Sequence, residues 1–313
     1  MPVDAVVVDG RPGLTWMNMS DVEFKEPFFQ QTVDRVREEE PWRDANVFTE
    51  FDALLQLDQV LPRVHPSGLI FHSSRCGSTL VANACRALDN AIVLSEANPI
   101  DKLIARFITD AVDDPVKESL YSVFIRAAVN ALAHSAGERV FVKFSCCGTS
   151  QLERIRRIWP DVPWLFLYRD PVETIVSNMT TVPAWLVDED RRILAHITGT
   201  TPAAVAEMSL EELCARSIGS FYSTAHGLAN DQSMLLNYNQ ISVTNILDFF
   251  NVSPSAEELE RITSGSRIYS KEVSGAREFV PDAAAKQNSA SNRIRQFAQQ
   301  FAISPYQLLE RTS

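Results

Sequence analysis

Two short stretches of this 313-residue chain combine residue types and spacings that suit the binding of phosphate-like anions. The first is Ser74-Arg75-Cys76-Gly77-Ser78-Thr79, small and hydroxyl-bearing residues placed just after the apolar run Leu69-Ile70-Phe71. Backbone N–H groups of Gly77, Ser78 and Thr79 at a helix start would face an anion, because unpaired N–H groups and the helix dipole both favour negative charge there. The Ser78 and Thr79 hydroxyls add donors, and Arg75 adds a permanent cation. The kinase pattern GxxxxGK[ST] is not met, since Gly77 stands where its lysine belongs. The second stretch is Arg169-Asp170-Pro171-Val172-Glu173, with Ser177 eight residues beyond Arg169. Asp170 suits a helix N-cap, Pro171 the first helical position and Glu173 a capping-box pairing. Ser177 returns two turns later toward the face at which Arg169 points, so the two suit a second phosphate. The plainer alternatives are an ordinary strand-to-helix turn in the first stretch and, in the second, an Arg169–Asp170 pair beside a solvated Ser177.

The elements needed to position these residues are legible. Apolar runs predict strands at 68–72, 91–95, 140–144 and 164–168, and apolar periodicity predicts helices at 78–89, 98–110, 115–136 and 171–179. Leu80, Ala84 and Leu88 fall on one face of the first of these helices, and Asn83, Arg86 and Asp89 on another. Strands alternating with helices imply right-handed crossovers and an α/β fold, a three-layer α/β/α sandwich around a central parallel sheet. Ligands in such sheets bind beyond the carboxyl ends of the strands, where both stretches lie. Residues 1–65 read as a helical extension, with helices near 28–40 and 47–59, packed on a core of residues 66–313 in a single domain. Residues 180–230 read as mostly helical, with Trp185 either lining an acceptor pocket or packing in the core.

With these residues in order, the chain resembles the sulfotransferases that use 3′-phosphoadenosine 5′-phosphosulfate. Their 5′-phosphosulfate loop is similar to Ser74–Thr79, and their 3′-phosphate element is an Arg followed eight residues later by a Ser, as Arg169 and Ser177 stand here. Glu96, in Leu94-Ser95-Glu96-Ala97-Asn98-Pro99, resembles the catalytic Glu of the tyrosylprotein branch, which implies a general base; the alternative is a carboxylate that caps the next helix. The run Leu235-Leu236-Asn237-Tyr238 resembles the late strand whose Tyr contacts the nucleotide, although Asn239 replaces the acidic residue that often follows. Ser270 and Lys271 are the candidates for the C-terminal cofactor loop, with Arg277 and Lys286 as further basic residues. Lys143, at the end of Val140-Phe141-Val142, falls where alternation buries it, and the resemblance implies a second cation on the transferring group; otherwise it snorkels to solvent. Sulfuryl transfer builds charge on the departing bridging oxygen, so Arg75 and Lys143 would stabilise it and Glu96 would take the acceptor's proton. The implied acceptor is a small molecule or a peptide, and no metal is required.

Composition bounds the remainder. A hydrophobic content of 45% with 22% charged residues supports a sizeable core, and a net charge of −11 argues against general nucleic-acid binding. Arg154, Arg156 and Arg157 read as a solvated helix face. No apolar run approaches a membrane span, and Met1–Gly10 lacks the marks of a signal peptide, which predicts a cytoplasmic location. Five cysteines without CxxC spacing predict reduced thiols, and five scattered histidines show no metal-ligand spacing. Oligomeric state is not legible. Two other classes stay open: a P-loop phosphotransferase using ATP or GTP, and a non-catalytic nucleotide-binding module with Glu26-Pro27-Phe28-Phe29 as an apolar anchor for a partner.

Overall fold

The N-terminal segment departs from expectation, because it is built on a small sheet as well as helices. The structure, a computed structural model, describes residues 1–110, 114–133, 139–266 and 282–312. Strands β1 (Pro2–Val8) and β2 (Arg11–Met17) form an antiparallel hairpin, followed by helix α1 (Phe29–Glu39), strand β3 (Asp44–Glu50) paired to β2, and helix α2 (Asp52–Val60). The hairpin turns on Asp9 and Gly10, both left-handed with φ of 51° and 77°. Two such residues make the tight loop whose twist matches that of the flanking strands. The helix expected over 47–59 begins only at Asp52, and the first four residues of that span are strand, since Val47, Phe48 and Thr49 favour the pleated surface that β2 offers. Val3, Leu14, Val33 and Leu54 join the same apolar cluster as Phe71 and Leu94 of the main sheet.

The main sheet follows the sequence closely. It holds β4 (Gly68–His72), β5 (Ala91–Ser95), β6 (Arg139–Lys143), β7 (Trp164–Tyr168) and β8 (Ser233–Asn237), all parallel in the order β5-β6-β4-β7-β8. Every residue of β4 and β7 is buried, as expected of parallel strands covered on both faces. Alternate side chains divide between two cores. Leu69, Phe71, Trp164 and Phe166 pack with one layer of helices, which includes α4 (Asn98–Asp110), α5 (Pro115–Ala133), α6 (Leu152–Ile158) and α7 (Pro171–Thr180). Ile70, Leu165 and Leu167 pack with the opposite layer, which includes α3 (Ser78–Arg86). The result is a three-layer α/β/α sandwich. Of the arginines expected on a solvated face of α6, Arg157 is exposed, but Arg156 turns back to donate to the Trp159 carbonyl at 2.9 Å and so ties down the loop before β7.

Candidate active site

The loop between β4 and α3 is shaped by backbone that few side chains tolerate. Ser74, Arg75 and Gly77 are left-handed, with φ of 74°, 52° and 83°. Left-handed residues interleaved with other backbone are how anion-binding concavities are made, and here the Ser74 N–H is spent on His72 Nδ1, which leaves the later N–H groups of the loop for an anion. Gly77 is required twice over: its φ suits glycine, and a Cβ built there would lie 2.8 Å from Ile241 Cδ1 and 3.0 Å from Tyr238 Cδ2. Ser78 and Thr79 then open α3, where the first N–H groups lack intrahelical partners. Cys76 is wholly buried, its thiol donating to the Leu167 carbonyl at 3.1 Å, and burial pushes that thiol up. On the α7 side, Ser74 Oγ donates to Asn178 Oδ1 at 3.1 Å and Arg75 Nη2 to the Thr181 carbonyl at 2.8 Å. Asn178, wholly buried, is thus a support of the loop that sequence reasoning missed.

Beyond the ends of β4, β5 and β6 stands a buried ionic group. The β5–β6 register sets Ser95 opposite Lys143, which brings the next residue, Glu96, to the lysine's head. Lys143 is 1% exposed, and its Nζ donates to Glu96 Oε1. His72, the last residue of β4, brings Nε2 to 3.3 Å from the same oxygen. Glu96 itself is left-handed, at φ 50°, a strained placement for a residue with a side chain. Burial works to raise its carboxyl, but the Lys143 ammonium and the His72 imidazole prevail and hold it well below the usual carboxylate range. Asp101, one turn into α4, accepts from the Ser145 N–H at 3.2 Å. Burial, then the charge of Glu96, pushes its carboxyl up to about 7. The Phe28 ring, just before α1, closes the group from above at 5.2 Å from Lys143 Nζ.

The second anion element has its own partners. Arg169, 4% exposed, lies over the Tyr238 ring at 4.3 Å, while its Nε donates to Glu173 Oε2 and its Nη2 to Asp282 Oδ1, each at 2.7 Å. Asp282 also pairs with Lys286 Nζ at 2.8 Å. Asp170 caps α7 by accepting from the Glu173 N–H at 3.1 Å. The Glu173 carboxylate, expected to close a capping box, goes to Arg169 instead, because a buried guanidinium is the stronger donor. Ser177 stands one turn beyond Glu173 on the same face of α7. Tyr238, in the turn after β8, touches both elements, with its ring against Gly77 and beneath Arg169.

The structure therefore brings Glu96 and Lys143 together, and the loop, Tyr238 and Arg169 together. Arg75 is not part of the Glu96 group, because left-handed backbone points it at Asn178 and at the carbonyl end of α7, which attracts cations. Ser270, Lys271 and Arg277 lie outside the described residues. His72 and Asp101 were missed by sequence reasoning. The Glu26–Phe29 stretch is no exposed anchor: Glu26 is buried with its carboxylate on Thr32 and Arg35, and Phe29 lies in the core. Trp185 packs edge-on against Phe221, with centroids 6.2 Å apart.

No protein-family model and no curated protein matches the chain. Among solved structures, a sulfotransferase from Mycobacterium avium is 12% identical, with a TM-score of 0.45 over 88% of this chain and 86% of that one. A sulfotransferase domain from the curacin biosynthetic pathway is 14% identical, with a TM-score of 0.39 over 76% and 98%. A sulfotransferase from Alicyclobacillus acidocaldarius is 14% identical, with a TM-score of 0.34 over 75% and 96%. Likeness of this degree says nothing of the chain's chemistry, which has to be read from its residues. No helix among the described residues is long and apolar enough to cross a membrane.

Proposed function

We propose that this protein is a sulfotransferase that takes a sulfuryl group from 3′-phosphoadenosine 5′-phosphosulfate and passes it to a hydroxyl or amine of a small molecule or peptide. The observation that carries the reading is Tyr238, one ring touching both the anion loop and Arg169, beside an acid–base pair at the neighbouring strand ends. The donor molecule supplies an activated sulfuryl group and a good leaving group. The residues fit it. The loop Ser74–Thr79, left-handed at Ser74, Arg75 and Gly77, would hold the 5′ anion through its N–H groups beyond Ser74 and its hydroxyls, and Arg169, Ser177 and Lys286 would hold the 3′-phosphate. Tyr238 offers a face to the base, and Asp282 occupies the place on Arg169 that a phosphate would claim.

Lys143 Nζ is one cation for the charge that develops during transfer, and Arg75 is a second once its bonds to Asn178 and Thr181 are exchanged. Glu96 takes the acceptor proton on a carboxylate oxygen, which contributes about 10²- to 10⁴-fold. While Lys143 rests on Glu96 Oε1, that carboxylate is a poor base. Whatever draws the lysine away raises its basicity, so the base is armed only when the lysine is engaged elsewhere. The Phe28 ring covers the Lys143 head of the pair.

Calorimetric titration with adenosine 3′,5′-bisphosphate, 5′-AMP and Mg·ATP tests the reading. The expected result is magnesium-independent binding that needs the 3′-phosphate and is lost in Arg169→Ala. Preference for Mg·ATP would make the protein a phosphotransferase, and no binding of any of the three would make it an interaction module.

A further inference from the structure

His72 is a buried, nucleophilic ring that the mechanism above does not use, and both of its nitrogens face defined partners. The Ser74 N–H donates to His72 Nδ1 at 3.1 Å. A nitrogen that accepts a hydrogen bond carries no proton, so the ring is neutral with its hydrogen on Nε2. Protonating Nδ1 would set one N–H against another in a site where His72 is only 6% exposed. The protonated Nε2 lies 3.3 Å from Glu96 Oε1, the oxygen that also accepts from Lys143, within electrostatic contact but not aligned as a hydrogen bond while the lysine holds that oxygen. Among the described residues, no donor falls on Oε2. The charged and titratable groups around the ring are Glu96 directly, Lys143 across the shared oxygen, and Asp101 beside Glu96. The backbone carbonyl of His72 accepts from Thr149 Oγ1 at 3.3 Å, which fixes the end of β4 from the other side.

We propose that His72 is a positioning residue that links the anion loop to the catalytic carboxylate: the Ser74 amide sets its tautomer, and its Nε2–H, already in contact with Glu96 Oε1, takes up that oxygen when Lys143 leaves it, so that Oε2 faces the acceptor. This rests on the sulfuryl-transfer reading of the site. It follows that a change in the Ser74 backbone on anion binding is felt at Glu96 through a single ring. It also follows that the ring does not take the acceptor proton itself, since its only basic nitrogen is committed to the loop. Glu96 keeps one oxygen pinned when Lys143 leaves, because the imidazole contact does not depend on the lysine.

The test is nitrogen-15 NMR of the full chain labelled at its five histidines, with His72→Gln to assign the signals. The expected spectrum at neutral pH has His72 in the Nε2–H form. Adenosine 3′,5′-bisphosphate should shift both ring nitrogens without changing the tautomer. An Nδ1–H tautomer, or an imidazolium formed near neutral pH, overturns the proposal. These readouts need neither nucleotide nor turnover, so failure to bind the bisphosphate would sink the sulfotransferase reading while leaving the tautomer result to stand alone. With an acceptor in hand, His72→Phe should lower kcat by about tenfold or more, the worth of one hydrogen bond to an ionised carboxylate, at unchanged KM for the nucleotide. His72→Gln, which keeps an N–H donor, should recover most of that loss. Equal kcat in the two variants would remove the positioning role.

Discussion

Asp282→Asn should tighten the binding of adenosine 3′,5′-bisphosphate. In the structure Asp282 pairs with both Arg169 and Lys286, at 2.7 and 2.8 Å, so an incoming 3′-phosphate has to displace a carboxylate of like charge. Burial works to raise the Asp282 carboxyl, but Lys286 and Arg169 outweigh it and keep it ionised at neutral pH. A hydrogen bond to a charged group is worth about 1.5–3 kcal/mol when sheltered. Exposed ion pairs are worth only about 0.2–1 kcal/mol. Arg169 is 4% exposed but the Asp282 side chain is 46% exposed, which places the competition near the lower range, at about 1 kcal/mol. That is roughly fivefold in Kd. Asp282 makes no capping bond from its side chain, so the change leaves the following helix, Ala283–Ser289, its start. Calorimetry of wild type and variant with the bisphosphate and with 5′-AMP decides the matter. The bisphosphate should bind about fivefold tighter and 5′-AMP unchanged. Weaker binding of the bisphosphate, or an equal gain for both nucleotides, would refute the view that Asp282 stands in a phosphate's place.

Three further outcomes are expected. Gly77→Ala should lose bisphosphate binding and cost at least about 1–2 kcal/mol in urea unfolding, since its backbone is left-handed and the new methyl would push on Tyr238 and Ile241; an unchanged Kd would show that the ring does not brace the loop. Asp101→Asn keeps an acceptor for the Ser145 N–H, and the wild-type carboxyl, with its pKa raised to about 7, binds a proton more tightly folded than unfolded. Wild-type stability is therefore lost as pH rises from about 4 toward 7, so the variant's Tm advantage should grow across that window and then level off; a pH-independent difference would contradict it. Glu258 accepts from the N–H groups of Ser255 and Asp89 and from Arg139, which hold its carboxyl down to about 2. Its contribution is whole above the unfolded value and is lost as pH falls toward 2. Glu258→Gln should thus unfold more easily at pH 7 by about 1–3 kcal/mol, with the gap closing in acid.

The main sheet was legible because its strands are short apolar runs, and those of β4 and β7 lead within a few residues into helix-start residues. Asp170 and Pro171 after Tyr168, and Gly77 after Phe71, mark both boundaries. The N-terminal sheet was not read, although Asp9-Gly10 between residues that favour strands is a hairpin signal. Within the site, Glu96 and Lys143 were named from resemblance, and the pairing of β5 with β6 shows why they meet. His72 and Asp101 escaped because nothing local marks them. A histidine ending an apolar strand reads as core, and an acidic residue in a first helical turn reads as a dipole partner. What makes them part of the site is contact between segments distant in sequence, His72 with Glu96 and Asp101 with Ser145. Arg75 was placed by residue type, and its direction was set by two left-handed residues that composition does not reveal.

Tyr238 lies against Gly77 and beneath Arg169, so a single rigid ring spaces the two anion seats. On the proposed reading the protein works as a caliper. A nucleotide carrying phosphates on both sides of its ribose closes the gauge, while one carrying a single phosphate touches only one jaw, however strongly it is charged. Selectivity then comes from a length built into the scaffold, and it should persist at salt concentrations that screen simple attraction.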